Sequence, residues 1–421
     1  MTSQNIRDQF PILNKKVHHL PLVYFDNAAT TQKPQRVIDG IVEYYTNFNA
    51  NIHRGVHVLA EESTSIWEQS RQEVASFFQA DQQELIVTRN TTEALNILVR
   101  GWGEGNINED DVVLVALSEH HSNFVPWQQL CLKKGAQFLT LPLAENGVIN
   151  LAKTEQLFKQ HKEHLRVVSL HHISNTLGTV TPIADVVQLL KDLDIREQVL
   201  LSVDVAQSAA HLPIHFHDSG VDAMAFSGHK MYAPMGVGGL FVTQKRLQEF
   251  EPVLFGGGMI NTVMVDETTF ASDTADRFTA GTPDVASLYG LAKACQFIKE
   301  VGWENIQKHE EELTQYALNQ LHTFPEITVV GPQDVRDSQG NIVRLGSVAF
   351  LYDKVHAHDV AQILDRKGVA VRSGQHCTMP LHVSQGWMAT TRASFAIYNT
   401  QSEVDVMIEA LKDINTVFRR G

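Results

Sequence analysis

Short apolar runs alternate with helix-like stretches through the first half of this chain, and few architectures accommodate that rhythm. Residues 84–88, 111–117, 165–170, 198–203, 222–226 and 238–242 read as strands, and 92–100 and 183–193 as helices between them. This βαβ succession predicts an α/β fold with a mainly parallel sheet covered on both faces. After about Pro283 the pattern changes. Long helical stretches at 286–301 and 304–321 precede short strands near 327–330, 346–351, 369–372 and 391–397, then an amphipathic helix near 402–417. That is the pattern of a smaller α+β lobe, so two lobes with a cleft between them are expected. The length of 421 residues suits two or three domains, and no repeat or Pro/Ser-rich tether separates them.

Composition narrows the function classes. Lys and Arg number 34 against 48 Asp and Glu, a formal charge of −14, and no basic cluster offers a nucleic-acid footprint. The longest aliphatic run, near 112–117, is far short of the ~20 residues that cross a bilayer. Three scattered cysteines, Cys131, Cys295 and Cys377, suit neither a disulfide framework nor a Cys-rich zinc site. Residues 1–10 are polar and lack the apolar core of a secretory signal. A reducing, cytoplasmic compartment without nucleic-acid or membrane partners is the expectation.

In open α/β sheets ligands sit beyond the carboxyl ends of the strands, so the chemistry is sought there. The first strand runs into Thr88-Arg89-Asn90-Thr91-Thr92-Glu93, which opens a helix. Asn90 and Glu93 could be no more than a reciprocal N-cap pair; alternatively, free N–H groups and the hydroxyls of Thr91 and Thr92 could cradle a phosphate. The next strand ends in Glu119-His120-His121, whose histidines suit a general acid/base, an aromatic platform or plain solvated loop positions. Zinc would need further ligands at suitable spacing, and none is evident, so no metal site is expected. His171-His172-Ile173-Ser174-Asn175 is again polar at a strand end.

Asp204 closes a hydrophobic strand, where a carboxylate is costly without a cationic partner. Ser227-Gly228-His229-Lys230 then supplies a lysine at what could be a neighbouring strand end. Either residue alone would suit a structural ion pair. Pyridoxal phosphate needs both, a Lys for its Schiff base and an Asp against its pyridinium nitrogen. Together with a phosphate-ready helix end and a stacking histidine, the combination favours that cofactor. In the small lobe, Arg372 and Arg392 could bind a carboxylate or stand in ordinary surface pairs. Cys377, in Ser373-Gly374-Gln375-His376-Cys377, has polar flanks and could act as a thiolate nucleophile, whereas Cys131 and Cys295 sit on apolar helical stretches as core fillers.

These residues resemble the class V branch of the fold-type I pyridoxal-phosphate enzymes, and most closely its group II, SufS/CsdA-type cysteine desulfurases. The resemblance runs over nearly the whole chain, through Tyr24-Phe25-Asp26-Asn27-Ala28-Ala29-Thr30, Asn51-Ile52-His53-Arg54-Gly55, Glu119-His120-His121, Asp204 to Gln207, Ser227 to Lys230, Gly256-Gly257-Gly258, Ala280-Gly281-Thr282-Pro283, Gln375-His376-Cys377 and Arg392-Ala393-Ser394. It implies a large cofactor domain over 20–290 and a small domain of 1–19 and 291–421 carrying the Cys377 loop and Arg392.

The resemblance further implies that Lys230 holds the cofactor as a Schiff base and later moves protons. His120 stacks on the pyridine ring, Asp204 pairs with its nitrogen and Gln207 reaches its phenolic oxygen. Thr91, Thr92, Ser227 and His229 bind around the phosphate, with Thr282 contributed by the other subunit of a homodimer. Asn175, Arg392 and nearby Arg372 hold the substrate's carboxylate. Cys377 takes the sulfur of L-cysteine as a persulfide, leaving alanine, and passes it to a SufE-, CsdE- or SufU-type acceptor for iron–sulfur cluster assembly. Selenocysteine lyase activity is a secondary implication. Departures from the family pattern are Val205 for Gly, Met235 for Thr, Gln375 for His (CsdA-type members also carry Gln) and Thr378 for Ala. None removes a group the chemistry needs. A class V aminotransferase or β-eliminating lyase is the alternative on the same scaffold, and a non-catalytic sulfur-handling protein is the alternative of another class.

Overall fold

The computed structural model describes residues 3–53, 55–271 and 275–418; Arg54, part of one motif above, lies outside them. The large sheet has seven strands: β1 (Leu85–Thr88), β2 (Val112–Ala116), β3 (Gln137–Leu141), β4 (Leu165–His171), β5 (Leu200–Asp204), β6 (Ala223–Ser227) and β7 (Gly238–Val242). Their order is β1-β7-β6-β5-β4-β2-β3, with β7 antiparallel to both neighbours and the other pairings parallel. β1 to β6 therefore run one way, and the carboxyl ends of β1, β2, β4, β5 and β6 face one side.

Alternation within these strands builds two cores at once. Leu114, Leu201, Val203, Met224 and Phe226 join one apolar cluster; Val113, Val115, Leu200, Ala223 and Ala225 join the other, on the opposite face. Every residue of β2, β5, β6 and β7 is buried, which is why these strands read as unbroken apolar runs.

The second sheet contains β8 (Ile327–Val330), β9 (Ser347–Tyr352), β10 (Arg372–Gly374) and β11 (Thr390–Ser394), ordered β8-β9-β11-β10 and fully antiparallel. The helices Trp303–Leu321, Ala357–Arg366 and Gln401–Phe418 cover it through Leu313, Leu318, Val360, Leu364 and Leu411. Val23 and Phe25 enter this same core, and Val23–Tyr24 pairs in parallel with Val369–Ala370. The stretch expected as one strand over 369–372 is thus two, because its halves pair with different partners. No helix among the described residues is long and apolar enough to cross a membrane.

Candidate active site

A cavity of about 480 Å³ opens at the carboxyl ends of the large sheet and is closed by the small-lobe sheet. That volume suits a cofactor with its substrate. It brings together Thr91, Thr92, His120, Asn175, Asp204, Gln207, Ser227, His229, Lys230, Arg372, Cys377 and Arg392. Thr282 is not among the lining residues. It donates to Asn51 Oδ1 at 3.2 Å in a separate cavity with His53 and Gly257.

The helix Thr91–Leu98 begins at the mouth of β1. Asn90 caps it by accepting the Glu93 N–H at 3.0 Å. The expected reciprocal bond is displaced by one residue: Glu93 Oε2 accepts from the backbone of Arg89, not of Asn90. Thr91 N–H donates to Ser227 Oγ at 2.8 Å, and the Thr91 and Ser227 hydroxyls lie 2.7 Å apart, tying the helix start to the end of β6. Thr92 Oγ1 meets Ser122 Oγ at 2.7 Å. Four hydroxyls and a positive helix end could hold a phosphate. β7 approaches closely because Gly238 has no side chain; a Cβ there would lie 2.5 Å from the carbonyl oxygen of Phe226 and 3.1 Å from Asn90 Cα.

His229 belongs to this end of the cavity. Its Nδ1 is buried with no hydrogen-bond partner, a donor or acceptor left for a bound group. Burial first, then Lys230 and Lys33, lower its pKa to about 4. Its carbonyl accepts from Thr30 Oγ1 at 3.0 Å, Thr31 N at 3.0 Å and Lys33 Nζ at 2.9 Å. Burial pushes Lys33 down to about 7, and this half-buried amine, which sequence reasoning passed over, supports the site through the His229 carbonyl.

Asp204 ends β5, buried, with Oδ1 accepting the Ala206 N–H at 2.8 Å. Burial raises its pKa to about 6, against the opposing pull of Lys230. Burial lowers Lys230 to about 8, Asp204 pulling it back up. An amine partly uncharged near neutral pH can attack a carbonyl, and an Asp beside it can hold a ring nitrogen's proton. His120 accepts the Ser122 N–H at Nδ1, 3.1 Å, and burial, reinforced by Lys230, pushes it down to about 3. It is a neutral ring at physiological pH, suited to stacking rather than to acting as a cationic acid. Gln207 Nε2 donates to the carbonyl of Ala28 at 2.9 Å. The orphaned His229 nitrogen, the hydroxyl cradle and the Lys230–Asp204 pair fit pyridoxal phosphate.

The small lobe supplies the opposite wall. Arg392, 2% exposed, donates to the Asn175 carbonyl at 2.7 Å and to Asp26 at 3.3 Å, and its Nε has no partner. Arg372 is half exposed and already bound in two-pronged fashion by Asp26, at 3.0 and 2.8 Å. The unsatisfied guanidinium edge on Arg392 makes it the better carboxylate receiver of the two. Sequence reasoning gave Asp26 no role, though it anchors both arginines.

Cys377 is the one exposed cysteine; Cys131 and Cys295 are buried, which pushes both thiols up, Cys131 to about 11. Its loop is tightly tied. The His121 N–H donates to the Cys377 carbonyl at 2.8 Å, His121 Nε2 accepts the Met379 N–H at 3.1 Å, and the Thr176 and Thr378 hydroxyls lie 2.9 Å apart. His376 and Cys377 both adopt positive φ, 49° and 59°, which costs energy in non-glycine residues and persists only where neighbours enforce it. Arg372, Arg392 and Lys230 all interact electrostatically with the Cys377 thiol.

The aminotransferase class-V family model matches residues 23–407. A cysteine desulfurase of Escherichia coli O139:H28 is 39% identical over 411 residues, covering 97% of each chain. The apo structure of a cysteine desulfurase from Thermococcus onnurineus superposes with a TM-score of 0.89 at 32% identity, over 99% of this chain and 98% of that one. The cysteine desulfurase CsdA of Escherichia coli, in a crystal structure described as S-sulfonic acid, gives a TM-score of 0.86 at 29% identity over 99% of both chains. With its large, mostly parallel sheet and smaller antiparallel lobe, a fold consistent with fold type I of the pyridoxal-phosphate enzymes, the chain belongs to the aminotransferase class-V family, and these full-length relatives are cysteine desulfurases.

Proposed function

We propose that the protein is a pyridoxal-phosphate-dependent cysteine desulfurase, a sulfurtransferase that converts L-cysteine to L-alanine and carries the sulfur on Cys377. The observation that carries this reading is the placing of one exposed thiol, Cys377, across a single cavity from Lys230 and Asp204. A transaminase has no use for that thiol.

When bound, pyridoxal phosphate supplies an electron sink for the pair released as bonds at the substrate's α-carbon break. Thr91, Thr92, Ser227 and His229 would hold its phosphate, His120 would cover its ring, and Asp204 and Gln207 would orient it. Arg392 and Asn175 receive the cysteine carboxylate, with Arg372 beside them, which fixes the substrate sulfur towards Cys377. The Lys230 amine takes the α-proton and returns protons to the product. The Cys377 thiolate attacks the substrate sulfur; an S–S bond forms as the C–S bond breaks, and the β-carbon, protonated, leaves as alanine. The persulfide then yields its outer sulfur to an acceptor thiol, and Cys377 departs as thiolate. Selenocysteine, with a weaker bond to the same carbon, is a second substrate on this reading.

A SufE-, CsdE- or SufU-type acceptor feeding iron–sulfur cluster assembly, a homodimer and a cytoplasmic location complete the proposal. The dimer is supported by Thr282, which lies outside the cavity, and by the exposed apolar side chains of Leu254, Phe255, Val263, Met264 and Val265. The decisive experiment measures alanine released from L-cysteine with a reductant, comparing native protein with Cys377→Ala. Alanine from the native protein and none from a variant that retains its cofactor colour supports the proposal. Equal alanine from both, or none from either, overturns it.

A further inference from the structure

β4 and β5 are adjacent parallel strands in which His171 stands opposite Asp204. Their side chains therefore leave the sheet on the same face, about one strand spacing (~4.8 Å) apart. Both line the cavity. From behind, His171 is gripped by a single oxygen: Glu119 Oε1 accepts its backbone N–H at 2.6 Å and its Nδ1–H at 2.8 Å. Glu119 Oε2 accepts from Asn123 Nδ2 at 2.8 Å, and Asn123 Oδ1 in turn accepts from Ser169 Oγ at 2.6 Å.

Glu119 is fully buried, and both its oxygens face N–H groups: Oε1 the His171 backbone and ring, Oε2 the Asn123 amide, the pattern that a carboxylate satisfies. A buried carboxylate requires a countercharge. Among the described residues its single ion pair is with His171. Burial opposes charging of that imidazole, but Glu119 and Asp204 on its two sides outweigh burial and raise its pKa. The other ionisable groups around it do not supply the charge: His172 is pushed down to about 4 by burial, and Lys230 lies on the far side of Asp204 among the cavity residues.

We propose that His171 is a positioning residue for the reaction: held as an imidazolium by Glu119, it stands beside Asp204, keeps that carboxylate ionised, and so leaves the shared proton on the ring nitrogen of pyridoxal phosphate. A proton between a carboxylate and a pyridine has two resting places, and desolvation favours the neutral pair. A cation closer to the carboxylate than to the ring reverses that preference. The protonated ring is the stronger electron sink, so His171 acts on the reaction through Asp204 without touching the substrate. The inference rests on the reading of Asp204 as the partner of that nitrogen.

The test uses holoenzyme loaded with pyridoxal phosphate carrying ¹⁵N in its ring, whose chemical shift reports nitrogen protonation directly. The native enzyme is expected to give the protonated shift near neutral pH. In His171→Gln, which keeps a donor for Glu119 but no charge, the resonance moves towards neutral pyridine; kcat for alanine falls ~10-fold or more while KM changes less than about twofold. A protonated ring in both native and variant overturns the role of His171 alone. A native protein that acquires neither visible absorbance nor a borohydride-fixed cofactor overturns the cofactor reading, and this inference with it. Should the variant fail to unfold cooperatively, ¹⁵N-histidine spectra of native holoenzyme decide: two protonated ring nitrogens on His171 support the proposal, and a neutral tautomer overturns it.

Discussion

The side-chain amide of Asn175 donates to the carbonyl of His376 at 2.7 Å, so a residue proposed to hold the substrate also holds the loop that presents Cys377. Substrate binding and thiol placement therefore share one side chain. Asn175→Ala should lower stability by about 1 kcal/mol for the lost bond and slow single-turnover persulfide formation ~5-fold or more. Thermal unfolding and stopped single-turnover assays check this. Unchanged values in both would mean that the tie positions nothing.

Arg392 and Arg372 should not respond alike to shortening. Arg392 is buried with an unpartnered Nε, while Arg372 is half exposed and occupied by Asp26. Arg392→Lys should raise KM for L-cysteine ~10-fold or more, since charge-assisted two-pronged binding is lost. Arg372→Lys should raise it by less. Steady-state kinetics with both variants separates them, and a larger effect at Arg372 would contradict the assignment.

Asp26 is the shared anchor of those arginines. Asp26→Asn keeps an acceptor but removes the charge facing two guanidiniums, one of them buried. A loss of about 1–3 kcal/mol in unfolding free energy is expected. Urea denaturation at fixed pH measures it.

Cofactor uptake by the apo-protein should depend on pH through Lys230. Burial disfavours its charged form, so the reactive neutral amine accumulates as pH rises through about 8 rather than through the ordinary lysine value. The incorporation rate should climb ~10-fold between pH 7 and 9 and then level off. Visible absorbance after mixing with pyridoxal phosphate follows it; a rate still rising steeply above pH 10 would place Lys230 in a wetter setting.

Gly238→Ala tests the phosphate end of the cavity without touching a polar group. The new Cβ would meet backbone of Phe226, Ser227 and Asn90, so either β7 or the Asn90 cap must shift. Pyridoxal phosphate should bind at least several-fold more weakly, as read by dialysis or fluorescence titration.

Much of the fold was legible because burial on both faces leaves its mark residue by residue. β7 was readable to its ends, and Asp204 and Lys230 stood out because a charge closing an apolar run needs a reason. β3 escaped notice: it is an edge strand, exposed or half-exposed along most of its length, and Gln137 and Thr140 dilute its apolar pattern. β4 and β5 each extend one residue beyond the predicted end, which sets His171 opposite Asp204 on adjacent strands.

The sequence by itself determined which residue types close each strand, and with them the kind of chemistry available, because hydrophobic periodicity and strand-end polarity are local properties. Only the tertiary structure decided who faces whom. Asp26 lies between Arg372 and Arg392, Glu119 behind His171, and His121 against the Cys377 loop, across separations that no local pattern encodes. Thr282 stays apart from the cavity for the same reason. Charges buried together must be neutralised by whatever the packing brings near, and the packing belongs to the whole chain.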